Sequence, residues 1–222
     1  MFASIQYETN RRMFAAESIL NEIKDGLISD ATENNINNVK KGVFFVALYG
    51  ALEYTLTEVV SVTIRCINAK NVDVKLLRPR LLSLAFNPQF NAVKEASARQ
   101  WEKRHDLLLL LECPTLFQAE DHLRPLPSGN IKFKSINFAW ELFGLSSDVV
   151  PDKRIQGLFD SLANNRMAVA HGRITPQDVG RDYTKGELVN FYNSIKSYLA
   201  YIITSFEDYV KNEEYLLVIN NP

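Results

Sequence analysis

A chain of 222 residues with 46% hydrophobic and 23% charged side chains has the composition of a folded globular protein and is too apolar to be disordered. Its 25 lysines and arginines nearly balance 26 aspartates and glutamates, for a formal net charge of −1. That excludes a global basic field that would pull in nucleic acid, so any polyanion must be held by local patches.

The length fits one domain, or one domain with an insertion. The two cysteines, Cys66 and Cys113, form no CxxC pair and no zinc site by themselves. They are expected as buried free thiols in a reducing cytosol. The N-terminus lacks the apolar core and cleavage site of a signal peptide. The longest apolar run, VFFVALYGALEYTL, carries Glu53 and is read as too short to span a bilayer. These features predict a soluble cytoplasmic protein with no membrane role.

In chain order, Phe14, Ile19, Leu20, Ile23 and Leu27 repeat at helical spacing and predict a first helix over roughly 8–29. The polar break SDATENNINN follows. A long second helix, roughly 36–68, carries Val39, Val43, Phe44, Ala47, Gly50, Ala51, Tyr54 and Val59 on or near one side. Two helices joined by a short polar turn read as an antiparallel hairpin. Residues 69–134 are less regular and read as an insertion or a smaller helical lobe. Within them, NAVKEASARQWEKRHDLLLLLEC reads as one helix of about 20 residues that stops before Pro114. HLRPLPSGNIKFKS reads as a loop, with a few residues near Ile131 as the one strand candidate. INFAWELFGL is a short helix with Gly144 at its end.

The last two helices are the clearest. Pro151 suits an early helical position. Ile155, Phe159, Leu162, Arg166 and Val169 continue one stripe, and Gly172 fits the residue just past the helix end, so this helix should stop at His171. TKGE, Thr184 to Glu187, matches a capping box. Leu188, Phe191, Tyr192, Ile195, Tyr198, Leu199, Ile202, Ile203, Phe206, Tyr209 and Val210 then follow at steps of three and four. The pattern predicts an all-α bundle.

Three residues stand out chemically. Arg166 falls on an apolar stripe, and desolvating its charge costs several kcal/mol unless it is matched. It can pair with a core carboxylate, snorkel, or face a second subunit and a ligand. Glu53 is the only charge between Lys41 and Glu58. It is the obvious partner for Arg166, unless it merely points to solvent from a gap in the apolar face. His171 either caps the helix and complements its dipole or works chemically. His105 and His122 sit among charges, read as surface residues, and show no metal-ligand spacing with each other or with His171.

Five residues at ~100° each place Arg166 and His171 about 140° apart on an ideal helix. They converge only if the helix unwinds at His171 or the arginine bends round. A two-fold dimer with this helix at its interface would gather two arginines and two histidines in one cleft. Such a cleft has what metal-free phosphodiester cleavage needs: one histidine as base, one as acid, and arginines for phosphoryl charge. P-loop, GxGxxG, GxSxG, HExxH and EF-hand signatures are absent. Lys75, Arg78 and Arg80 form one of several basic clusters that are either solubilising or an RNA track.

RMAVAH, 166–171, with its flanks NNRMAVAHG, resembles the arginine–histidine motif of HEPN-domain proteins. ALYGALEYTLTEVV is similar to the segment that carries an isolated glutamate in stand-alone prokaryotic members, including the RiboL-PSP-HEPN and MAE-type groups. SGNIKFKSINFAWELFGL and AHGRITPQDV also resemble that group. The resemblance implies a HEPN-like helical bundle over residues 1–222, with 69–134 as an insertion or sub-lobe. It implies a homodimeric, metal-independent endoribonuclease without a cofactor, acting as a toxin or anti-phage effector, with RNA as substrate and an antitoxin or defence-system protein as partner. Arg166 and His171 are then the catalytic pair. The residue after the arginine is commonly polar in the family, and here it is Met167; Asn165 is the candidate substitute. That departure sustains an alternative: a non-catalytic HEPN dimer that binds RNA, a nucleotide or a partner protein in a defence complex.

Overall fold

The computed structural model describes residues 1–122, 125, 126 and 130–217. Among the described residues there is no strand, only isolated bridges between Asp73 and Leu116 and between Leu77 and Leu216. Ile131 does not pair as a strand; its N–H bonds to a tyrosine hydroxyl instead. The chain is all-α. It divides into two compact units: Met1–Val59, Leu126–Asn137 and Asp148–Thr204 make the first, and Val60–Pro125, Phe138–Ser147 and Ser205–Pro222 the second.

In the first unit, α1 (Phe2–Asn21) buries Phe2, Ile5, Thr9, Met13, Ala16 and Leu20. This stripe differs from the expected one. Phe14 and Leu27 are exposed, and the helix starts earlier and stops at Asn21. The expected pattern failed because the true stripe contains a polar residue. Thr9 is buried with its hydroxyl 2.7 Å from that of Thr55. Thr55 spends its one proton on the Ala51 carbonyl, so Thr9 donates to Thr55. Past the helix end, buried Asn37 accepts from the Lys24 N–H and donates to the Lys24 carbonyl. One carboxamide thus satisfies both backbone groups of a residue that has left its helix.

The Asp30 carboxylate caps α2 (Ala31–Ala69) by accepting from the Glu33 N–H. Buried residues from Phe44 to Val59 cover nearly half the circumference of this helix, and every other residue of the stretch is half-buried with none exposed, the pattern of a core helix. From sequence its apolar run is expected to be too short for a bilayer. The helix is in fact long and apolar enough to cross one by length and composition, but 56% of that window is buried inside the protein.

The first unit also holds α7 (Gln156–Ala170), α8 (Pro176–Arg181) and the greater part of α9 (Lys185–Lys211). Pro151 lies before α7 and not inside it. Asp152 caps a single 3₁₀ turn, Lys153–Ile155, and the α-helix begins only after that turn. The capping box at the start of α9 forms: Glu187 accepts from the Thr184 N–H at 2.7 Å, and its own N–H donates to the Thr184 hydroxyl at 3.2 Å. The Thr184 N–H and hydroxyl, both donating to the Glu187 carboxylate, hold that carboxyl below its ordinary range. Every expected apolar position of α9 is buried except Val210, which is half-buried.

In the second unit, α3 (Leu82–Ala85) leads to α4 (Asn87–Glu95), and α5 (Gln100–Leu109) packs back on α4. The single helix expected over 91–113 is therefore two. Ala96 turns extended (ψ 115°) and the chain reverses before Gln100. The run Leu107–Leu111 has no period of its own, so it could not signal the break. The C-terminal part of α6 (Phe133–Phe143) belongs here. Trp140 and Phe143 meet Phe206 edge-on, and Phe143 meets Tyr209 in the same way. Gly144 ends α6 with φ +68°. Cys66 is half-buried and Cys113 exposed, both free. The expectation of two buried thiols is met only halfway at Cys66 and fails at Cys113, which lies in the open turn after α5.

Candidate functional site

The C-terminal end of α7 is built by local rules. The Gly172 N–H bonds to the Val169 carbonyl at 3.1 Å, and the Arg173 N–H reaches back to Ala168 at 3.0 Å. This is a Schellman closure, and it needs a left-handed residue just past the cap. Gly172 supplies it with φ +64°. His171 is therefore the cap residue itself (φ −95°, ψ 7°) and its side chain is exposed. The helix does not unwind to bring the histidine round; it stays regular through Ala170.

The segment beyond His171 is pinned. Thr175 caps α8 by accepting from the Asp178 N–H. α8 then lies against α2 at backbone distance. A Cβ on Gly42 would stand 2.0 Å from the Pro176 carbonyl oxygen, and one on Gly180 would stand 1.9 Å from that of Asn38. Only glycine permits this crossing. The histidine end of α7 is thus held to α2 by the helix that follows it.

Arg166, one turn and a half earlier, turns inward. Its Nη2 is 3.8 Å from Glu53 Oε2, with side-chain exposures of 22% and 33%. Its Cζ sits 4.8 Å from the centre of the Tyr49 ring. Tyr49 is one helical turn before Glu53 on α2, is 1% exposed, and accepts the Ile131 N–H on its hydroxyl at 2.6 Å. Burial pushes the Tyr49 phenol up, and the nearby Glu53 adds to this, while the Ile131 bond and Arg166 oppose it. Tyr49 is therefore a neutral platform. An ion pair this open contributes at most ~1 kcal/mol, and a cation–π contact adds roughly 0.5–2 kcal/mol. The two contacts matter more for orientation than for stability.

Sequence reasoning named Glu53 and Arg166, and the structure brings them together. It missed Tyr49, whose one signal was its place a turn before an isolated carboxylate. Asn165 is turned elsewhere: its Nδ2 donates to the Tyr183 hydroxyl at 2.8 Å, and the Tyr183 ring packs on Phe45 and Phe191. Its carboxamide anchors α7 to the turn between α8 and α9.

Lys75, Arg78 and Arg80 lie in the second unit, and each donates to a main-chain carbonyl. Lys75 reaches Glu112, Arg78 reaches Gly144, and Arg80 reaches Glu141 at 2.8 Å. The two arginines cover carbonyls at the end of α6 that the helix cannot satisfy itself. His105 is exposed, and His122 is exposed and pairs with Glu120 at 3.2 Å. Among the described residues no cluster of three or more His, Cys, Asp or Glu is arranged to hold a metal ion.

The model of the MAE_28990-like HEPN family aligns with residues 12–215 and so extends across both units. No curated protein and no solved structure matches.

Proposed function

Because the chain belongs to the MAE_28990-like HEPN family, we propose that it is a metal-independent endoribonuclease whose site is completed by a second copy of itself. The observation that carries this reading is the division of labour at the end of α7. A guanidinium is oriented from behind by Tyr49 and Glu53, and an imidazole stands open to solvent at the cap. One protomer offers a single such histidine, whereas general acid–base cleavage uses two proton carriers. A two-fold axis beside His171 supplies the second.

In the proposed reaction, one His171 takes the proton from a ribose 2′-hydroxyl. The 2′-oxygen attacks the adjacent phosphorus, and the 5′-oxygen leaves with a proton from the partner's histidine. The products are a 2′,3′-cyclic phosphate and a 5′-hydroxyl. Arg166 stabilises the charge that develops on the non-bridging oxygens. Glu53 and Tyr49 keep it from collapsing onto either histidine.

The test is cleavage of single-stranded RNA in EDTA. We expect His171→Ala to lower kcat by about 10²-fold or more and Arg166→Ala by about 10²–10³-fold. Equal activity in all three proteins removes the assigned roles. We propose further that the enzyme acts as a toxin or anti-phage effector restrained by an antitoxin or defence-system partner. Growth arrest on expression should then require both residues, and arrest by the variants would count against it.

A second reading has one observation in its favour. Met167 stands where the family commonly has a polar residue, and Asn165, the candidate substitute, is held by Tyr183. A non-catalytic HEPN dimer that binds RNA, a nucleotide or a partner protein would show RNA binding without cleavage in wild type and variants alike.

A further inference from the structure

Among the described residues, the most exposed large aromatic side chain lies on the α4–α5 hairpin of the second unit. Trp101, at the start of α5, is 77% exposed. It is not bare: the Arg104 guanidinium lies over its ring, with Cζ 4.8 Å from the ring centre. Arg104 is fixed there by donating to Gln100 Oε1 at 3.0 Å. Arg99 and Lys103 are near in sequence but lie roughly 160° round the helix from Trp101, and Lys103 reaches Asp106 at 3.2 Å. With Glu102, that makes three cations against two carboxylates within two turns of helix. Exposed Leu108 continues the face of Trp101 two turns on.

We propose that Trp101 and Arg104 form a stacking platform for a base of single-stranded RNA. This rests on the ribonuclease reading for its ligand, but not on the chemistry of Arg166 and His171. A tryptophan ring with a guanidinium over it accepts any base, because every base has a π-face and the cation adds to the contact. The same face of α5 carries Arg104 and His105 and no carboxylate, since Glu102 and Asp106 stand roughly 100–140° round the helix from Trp101, so its charge complements a phosphate backbone. Lys75, Arg78 and Arg80 are less available, since their head groups already serve carbonyls of the second unit.

The chain has two tryptophans, and Trp140 is only 4% exposed. Emission that responds to a ligand therefore reports Trp101. The probe is a 2′-O-methyl oligouridylate or oligoadenylate, which cannot be attacked through its 2′-oxygen and stays intact. We expect saturable quenching of wild-type emission that is lost in Trp101→Phe. Binding followed by anisotropy of the labelled oligonucleotide should weaken about tenfold in Trp101→Ala and be mostly restored in Trp101→Phe. Arg104→Ala should weaken binding by about two- to fivefold, because the cation that adds to the stack is gone. Trp101 is on the surface, so circular dichroism should be unchanged. RNA binding with undisturbed emission, or equal affinity in Trp101→Ala, overturns the proposal. So does loss of self-association in Trp101→Ala with RNA affinity intact, which would make the face a protein contact. The two readings fail separately. Cleavage that depends on Arg166 and His171 but not on Trp101 leaves the nuclease standing; quenching without any cleavage leaves the platform standing.

Discussion

Tyr49 shows how one side chain can be asked to do two separable things. Its hydroxyl satisfies the Ile131 N–H, and its ring carries the Arg166 guanidinium. Tyr49→Phe keeps the ring but leaves a main-chain N–H unpaired, at a cost of ~1–3 kcal/mol of stability. Tyr49→Leu loses the ring as well. We expect the phenylalanine variant to melt earlier yet keep kcat within about threefold. The leucine variant should lose about tenfold more in kcat at little change in KM, the loss expected when a cation–π contact of ~1.4 kcal/mol no longer orients the arginine. Thermal unfolding and steady-state kinetics on both variants check this. If kcat falls equally in the two, the ring has no part in holding Arg166 for chemistry. The partners of Arg166 also show the limit of sequence reading. An arginine on an apolar stripe signals that a carboxylate is needed, and Glu53 was the isolated candidate. Which ring lies beneath the guanidinium depends on the rotation of α7 against α2, and no local pattern encodes that.

The elements that could be read were those whose rules are local. Gly172 past His171 and the TKGE box before α9 act within a few residues, and both form as the spacing requires. What could not be read needed a partner element. The α1 stripe was misplaced because Thr9 is polar and becomes a core residue only through Thr55. The break between α4 and α5 was hidden because the hairpin, not the sequence period, decides which leucines are covered. The crossing of α8 over α2 was equally hidden, although two glycines mark it. Gly42→Ala and Gly180→Ala would each drive a Cβ to within about 2 Å of a carbonyl oxygen of main chain that cannot step aside. Each is expected to cost ~1–3 kcal/mol or more and to weaken cleavage by loosening the His171 end of α7. Gly50→Ala is the control. It lies within α2 and nothing stands within 4 Å of its Cβ position, so helix propensity alone should stabilise it by up to ~1 kcal/mol. Unfolding midpoints decide the matter: a tolerated Gly180→Ala would show that the crossing can relax.

At the scale of the whole molecule, the proposed nuclease turns on a count of histidines. A chain with one exposed cap histidine per protomer has two ways to cut RNA. Either each protomer works alone with water as the second proton carrier, or two protomers share a cleft. The alternatives differ in how an inactive subunit behaves. Suppose an equal amount of His171→Ala protein is added to wild type and the subunits exchange freely. The wild-type homodimers then fall to about half their starting number, and mixed dimers carry one histidine where two are needed. Cleavage should drop to about half, although no wild-type protein has been removed. Independent sites would leave the rate unchanged. Mixing Arg166→Ala with His171→Ala sharpens the point. The mixed dimer then holds one arginine and one histidine on different chains, and a cleft that needs both proton carriers should stay inactive. Recovered activity in that mixture would mean that a single histidine suffices, and the two-fold cleft would lose its reason to exist.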